Sequence, residues 1–302
     1  MHILLTGSAG SVGSAVLIYL LERSHTITSI DIQPLPPAIT SLIEPEQNRL
    51  LTHHLIDLSH FDALDSLFAS HGPFDGVIHL SAIPSPEDRD ARTVRNVNVV
   101  AGYNVLKTAA DHGVKRIVQA SSVNAPGLSF TPEGRQTFEE VPVKEDAPMR
   151  SMDPYALSKH INEIQAENLV RIDPTLRIAS LRFHWVQPSY DHVVPHSRWR
   201  ELFCWVSHQS CAQACLLGLT SEGWEGAEAF NIVAPEICWE GGLSHPIAGH
   251  EHLEGRVGAI ELVRKAWGDR VGVIREEYWK DNPRRGLWDT TKAETMLGWR
   301  HD

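Results

Sequence analysis

The sequence predicts a doubly wound α/β fold: a parallel sheet with helices on both faces, and a small C-terminal substrate lobe interleaved with it. Three observations carry this. Short apolar runs alternate with longer helix-like segments as far as Leu181, the pattern of repeated strand–helix–strand units. The first unit holds Thr6-Gly7-Ser8-Ala9-Gly10-Ser11-Val12-Gly13 between its strand and its helix. Beyond Leu181 the alternation stops and the composition turns to His, Pro and Trp.

Taken in order, Ile3-Leu4-Leu5 is the first strand, and Ser14 to Leu21 is a helix packed on the sheet. Thr26 to Ile30 is the second strand, ending at Asp31. Gln33 to Asn48, with four prolines, reads as a surface loop. Leu50–Ile56, Phe74–Leu80, Arg116–Ala120 and Arg177–Leu181 are the third to sixth strands. Between them lie the helices Phe61–Ala69, Val94–His112 and Pro154–Arg171. Gly113 ends the second of these, and Asp153 caps the third. Pro126 to Pro148 reads as a long irregular stretch, a type of segment that is often functional. Arg182 to Arg200 reads as loop, Glu201 to Leu219 as a helix, and Ala229 to Val233 as a last strand returning to the sheet. Small helices are expected at Gly258–Trp267 and Thr290–Leu297. The expected division is a dinucleotide-binding domain over 1–182 and 226–235, with the lobe over 183–225 and 236–302.

Composition narrows the function. A formal net charge of −11 on 302 residues repels nucleic acid and anionic membranes, so neither is expected as a partner. No apolar run reaches the roughly 18 residues of a membrane helix. With the first strand starting at His2 there is no room for a signal peptide, and a cytoplasmic location is expected. Cys204, Cys211, Cys215 and Cys238 form no C-x-x-C pair. Buried reduced thiols, and no metal site, are the expectation.

In a strand–turn–helix setting, the glycines of the first unit let the backbone turn tightly and approach a pyrophosphate. The helix then offers free N–H groups and its positive dipole end. Asp31 stands where an acidic residue would hold a ribose. A glycine-rich turn without ligand is the plain alternative; strand, helix and Asp31 together favour a dinucleotide. Tyr155 and Lys159 are four residues apart, on one face of a helix. The ammonium is expected to lower the phenol's pKa from its usual ~10, so that Tyr155 can exchange a proton with an alcohol oxygen. Ser121-Ser122 follows a strand at its carboxyl end, where a hydroxyl can bond the same oxygen; turn chemistry is the alternative.

These residues carry a family resemblance. T-G-x-x-G-x-x-G, Asp57-Leu58, His79-Leu80-Ser81-Ala82, Asn98, Ser121-Ser122 and Tyr155-x-x-x-Lys159 occur in order and at family spacings. The chain resembles the extended short-chain dehydrogenases/reductases, the NAD-dependent epimerase/dehydratase group with its Rossmann sheet. The likeness extends to the group's usual ending at Asp289–Trp299. It implies NAD as cofactor, with Ser122, Tyr155 and Lys159 catalytic and Lys159 also on the nicotinamide ribose. It implies cofactor contacts from Gly7, Gly10, Ser11, Val12, Gly13, Asp31, Leu80, Ser81, Ala82 and Asn98, with Asp57 and Leu58 at the adenine. Asp31 would repel a 2′-phosphate. By analogy with family dimers, helices 94–112 and 154–171 imply a homodimer.

Departures from the pattern bear on the reaction. Nucleotide-sugar members grip the substrate diphosphate with an Asn about where Trp185 stands. Ala125-Pro126-Gly127 replaces the usual Val-Tyr-Gly, and the lobe is short. These features look more like uronate dehydrogenases, in which an arginine five residues before a tryptophan binds a carboxylate. Arg200 and Trp205 have that spacing; a surface arginine is the alternative. Arg182, Arg198, Arg284 and Arg285 are further basic candidates. Asn124, His184 and Arg200 complete the expected substrate contacts with Ser122, and His192 and His196 are weaker candidates. The resulting expectation is a small-molecule enzyme: an NAD-dependent oxidoreductase acting on the CH–OH group of a sugar, sugar acid or similar polar alcohol. The alternatives are a nucleotide-sugar epimerase or dehydratase like UDP-glucose 4-epimerase, and a non-catalytic NAD sensor.

Overall fold

The computed structural model describes all residues except 88, 133, 198 and 241–256. In chain order its strands are β1 (His2–Thr6), β2 (Thr26–Asp31), β3 (Leu51–Leu55), β4 (Gly76–His79), β5 (Arg116–Ser122), β6 (Phe138–Val141), β7 (Arg177–Phe183), β8 (Val186–Gln187), β9 (Val206–Ser207), β10 (Gly226–Ile232) and β11 (Val271–Ile274). The helices are α1 (Ser11–Glu22), α2 (Pro37–Thr40), α3 (Pro45–Asn48), α4 (Phe61–His71), α5 (Ala91–Asp111), α6 (Pro154–Ile172), α7 (Tyr190–Val193), α8 (His208–Thr220) and α9 (Ala259–Trp267).

Seven strands form one sheet in the order β10-β7-β5-β4-β1-β2-β3, every neighbour parallel. Period-two alternation divides the apolar strand residues between two cores. Ile3 and Leu5 of β1 face α1 and α8, with Ile78, Val118 and Ala179 beside them. Leu4 faces the other way, with Val77, Ile117 and Ile178, against α4, α5 and α6. Both faces are covered, which is why the central strands read as continuous apolar runs. Chain order reverses between β1 and β4, the switch point at which ligands bind in such sheets.

The helix ends follow local chemistry. The Asp153 carboxylate accepts the Ala156 N–H at 2.8 Å and caps α6. Asp90 caps α5 in the same way, taking the N–H of Arg92 and of Thr93. Gly113 follows α5 with φ +79°.

Several segments depart from the sequence reading. The proline-rich stretch after β2 holds two single turns, α2 and α3, each with proline in its first turn. The stretch 126–148 contains β6, which pairs with β11, and the region after β7 contains β8 and α7. The expected helix from Glu201 begins only at His208. Leu202 and Phe203 have φ of 49° and 54°, a left-handed turn no α-helix accommodates, and Val206-Ser207 pairs with β8.

α8 and the C-terminal Ala293, Leu297 and Trp299 share the sheet's core with α1. Val123, Leu128 and Phe138 pack with Phe203, Trp239 and Trp267 in the lobe. All four cysteines are buried free thiols.

Candidate active site

Two cavities meet at the carboxyl ends of the strands, and Leu80 and Ala82 line both. The first, of about 500 Å³, is lined by Gly7, Gly10, Asp31, Asp57, Leu58 and Ser81, among others. Gly7 has φ +78°, and a Cβ there would lie 2.7 Å from the Ser81 nitrogen, so the turn presses directly on the strap after β4. A Cβ on Gly13 would lie 1.9 Å from the Gly7 carbonyl oxygen. Gly13 therefore lets α1 close against the turn and lies behind the cavity wall. The first turn of α1 has no side-chain cap and no acidic residue, which leaves its N–H groups for an anion. One Asp31 oxygen accepts the Ala9 N–H at 2.9 Å and the other the Gln33 N–H at 3.1 Å; each keeps acceptor capacity for a ribose hydroxyl. Asp57 accepts the Ser59 N–H at 2.9 Å, and that bond holds its pKa below the usual carboxylate value. These residues fit an adenosine and pyrophosphate.

Asn98 lines neither cavity. It is buried behind the strap, accepting the Ile83 N–H at 2.8 Å and donating to the Ile83 carbonyl at 3.0 Å and the Ser158 hydroxyl at 3.0 Å. It shapes the cofactor cavity without lining it. Asn104 does the same below, donating to the Leu58 carbonyl at 2.8 Å.

The second cavity, about 340 Å³, is lined by Ser11, Val12, Ser122, Asn124, Phe130, Tyr155, Lys159, Phe183, His184, Trp185 and Glu201, with others. Here the three expected catalytic side chains come together. The Ser122 hydroxyl stands close enough to the Tyr155 phenol to lower its pKa and accepts the Asn124 N–H at 3.1 Å. Lys159 Nζ lies 5.6 Å from the Tyr155 ring centre and donates to the Ala120 carbonyl at 2.7 Å. Electrostatics differ from the sequence expectation. Burial pushes the Tyr155 phenol up to about 12, against the effect of Ser122, and Asp153 adds to the rise. Burial pushes Lys159 down to about 8, against the pull of Glu163. Desolvation sets the direction for both groups, because the pair sits in a buried wall rather than on a wet helix face. His79 is neutral, pushed down to about 3 by burial and by Lys159, and its Nδ1 lies 2.7 Å from Thr6 Oγ1.

The expected substrate residues fare differently. Asn124 reaches the cavity, but its amide oxygen accepts the N–H groups of Leu128 and Phe130, and its nitrogen donates to Asp153 at 3.1 Å. It folds the loop that bears Phe130. His184 is buried and pushed down to about 3, hence neutral; its Nδ1 accepts the Trp185 N–H at 2.7 Å.

Arg200 is not in the cavity wall. Its Nε donates to the Ser129 carbonyl at 3.2 Å, its guanidinium sits 5.8 Å from the Phe130 ring centre, and Glu87 is 3.7 Å away. Arg182, expected near substrate, is buried in an ion pair with Glu163. Arg284 binds the Ile237 carbonyl and Glu240, and Arg285 the Tyr278 carbonyl. His192 and His196 lie outside the cavity with tilted rings whose centres are 5.9 Å apart, and Arg198 lies outside the described residues. Phe130, Glu163 and Glu201 were missed by sequence reasoning. For Glu163 a signal existed, since it stands four residues beyond Lys159 on the same helix face.

A parallel sheet with a glycine-rich turn, an acidic residue closing β2 and a buried Ser–Tyr–Lys group defines a dinucleotide-dependent enzyme of the short-chain dehydrogenase/reductase kind. Residues 3–197 match the NAD dependent epimerase/dehydratase family, and the chain belongs to that family; membership assigns NAD as its cofactor. UDP-glucose 4-epimerase of Pisum sativum is 29% identical over 189 residues, covering 60% of this chain and 51% of that protein. UDP-glucose 4-epimerase of Dictyostelium discoideum is 26% identical over 185 residues, with the same coverage of 60% and 51%. The chain spans about half the length of the curated relatives it matches. Among solved structures, UDP-glucose 4-epimerase from Bifidobacterium longum, in complex with NAD+ and UDP, superposes with a TM-score of 0.69. It is 19% identical, over 100% of this chain and 94% of that one. A short-chain dehydrogenase/reductase superfamily protein from Agrobacterium tumefaciens, with bound NAD, gives 0.66 at 19% identity over 100% and 93%. Among the described residues no helix is long and apolar enough to cross a membrane.

Proposed function

We propose that the protein is an NAD-dependent oxidoreductase acting on the CH–OH group of a sugar or similar polar secondary alcohol. When bound, the nicotinamide supplies the hydride acceptor or donor. Tyr155 then exchanges the hydroxyl proton, Ser122 bonds the reacting oxygen, and Lys159 holds the ribose and biases the Tyr155 proton. The observation that carries the choice of a compact substrate is the cavity's far wall. Trp185, Phe183 and Phe130 line the cavity together with the catalytic group, and by the family resemblance Trp185 stands about where the diphosphate-gripping members carry an Asn.

Nucleotide-sugar epimerisation is the second reading, favoured by the names of the curated relatives. In it the hydride returns to the same substrate, and no NADH accumulates. Incubation with NAD+ and a panel of free sugars, uronates and UDP-sugars separates them. Accumulating NADH supports the oxidoreductase; interconversion of UDP-sugars without NADH supports the epimerase; NAD binding with no turnover on any member supports a sensor.

A homodimer through α5 and α6 belongs to the same proposal, since Val97, Val100, Tyr103, Leu157 and Ile164 are exposed on these two helices. So does a cytoplasmic location, in keeping with four buried reduced thiols.

A further inference from the structure

Behind the catalytic wall lies a knot of buried charge. Arg182 donates from Nε to Glu163 Oε1 at 2.9 Å and from Nη2 to Oε2 at 2.8 Å. The Ser121 hydroxyl donates to the same Oε1 at 2.5 Å. Arg182 Nη1 donates to the Glu145 carbonyl at 2.9 Å. The two side chains are 2% and 9% exposed. A buried ion pair is a poor source of stability, because desolvation offsets its attraction. Its position is more telling. Ser121 stands between Ala120, whose carbonyl seats Lys159, and Ser122, which meets Tyr155. Glu163 follows Lys159 by one helical turn. One carboxylate thus grips β5 between the two catalytic contacts, one helical turn along α6 from the catalytic lysine.

We propose that Glu163 is a positioning residue: it keeps the Lys159 ammonium seated and charged in its dry site, and so sets the upper pH limit of cofactor binding. This rests on the reading of Lys159 as the ribose ligand. The groups around Lys159 are Tyr155 and Glu163 on its own helix, His79 on β4 and, behind Glu163, Arg182 on β7. From α5 the side chain packed here is the uncharged Asn98. Tyr155 and His79 are neutral at physiological pH, so Glu163 is the anion that acts on Lys159. Burial pushes Lys159 down and Glu163 pulls it up. A lysine is charged below its pKa; removing Glu163's charge lowers that pKa further, and the ammonium is then lost at a lower pH.

The test is NADH affinity measured by fluorescence titration from pH 6 to 10, with no turnover required. Wild-type affinity should fall as pH rises through the Lys159 midpoint, about 8. Glu163→Gln should move that midpoint down by about one unit or more. Affinity would then be about fivefold weaker at pH 8 and within about threefold of wild type at pH 6. Glu163→Asp, which keeps the charge, should restore most of the midpoint. If Glu163→Gln does not fold, Glu163→Gln with Arg182→Gln leaves no buried charge without a partner and carries the same expected shift. An unchanged midpoint, or equal loss at every pH, overturns the proposal in favour of a purely structural pair. Lys159→Met is the separate control. Should it bind NADH like wild type at every pH, the ribose role of Lys159 fails, and the proposal with it.

Discussion

Asp31 accepts the Ala9 N–H at 2.9 Å, so the residue that closes β2 is tied to the turn that opens α1. The bond fixes the carboxylate at the edge of the larger cavity, where a ribose diol needs two acceptors and a 2′-phosphate meets a negative charge. Asp31→Ser should weaken NADH binding by about 1.5–3 kcal/mol, the range for hydrogen bonds to a charged group. It should also narrow the gap to NADPH. Calorimetric titration of both cofactors checks this, and a wild type that prefers NADPH would contradict it.

Tyr155 is held well above neutrality by burial, and its proton is lost only as pH approaches that raised value. Alcohol oxidation, which needs the phenolate, should therefore climb with pH across the neutral range. Carbonyl reduction, which needs the phenol, should stay level there. Tyr155→Phe should lower turnover by roughly 10²–10⁴ in both directions while leaving NADH affinity within a few-fold. Steady-state pH profiles with parallel binding titrations would reveal a variant that keeps near-normal turnover, and that result would end the acid/base assignment.

Arg200 is engaged by the Ser129 carbonyl and the Phe130 ring at the rim. Arg200→Ala should loosen that loop and reduce kcat/KM by a similar factor on acidic and neutral substrates. A loss confined to acidic substrates, with partial rescue by Arg200→Lys, would instead restore the arginine–carboxylate role expected from its spacing to Trp205.

Val100 and Leu157 are 41% and 42% exposed on α5 and α6. If two copies pair through these helices, Val100→Glu with Leu157→Glu places like charges across the seam. The expected outcome is a monomer by light scattering at concentrations where the wild type is a dimer. A wild type that is monomeric throughout removes the dimer from the proposal.

The legible parts of this chain were those whose signal is local. The strand–turn–helix around Gly7, the carboxylate at Asp31 and the helical pairing of Tyr155 with Lys159 each lie within one or two elements. Periodicity and spacing therefore located them. The segment after Glu201 was misread because Leu202-Phe203-Cys204-Trp205-Val206 is an apolar run without a period. Its Leu202, Phe203 and Cys204 fill the lobe's core through a left-handed turn that no residue type there announces. Arg182 was misplaced because its partner Glu163 lies on another element, brought close only when α6 packs on the sheet. The direction of the Tyr155 shift was misjudged for a related reason. Spacing shows the neighbouring ammonium, whereas burial depends on the whole lobe closing over the site.

The Asn98 amide has consequences for how this chain can drift. One side chain answers both the N–H and the carbonyl of Ile83 and a hydroxyl on the next helix. Aspartate has the acceptor but no donor, leucine the shape but neither, and glutamine a longer stem for the same space. Position 98 therefore admits very little substitution although it lines neither cavity. In a library of random variants it should be as intolerant as Tyr155, and for the opposite reason: its loss would disturb the cavity's shape before any chemistry is attempted.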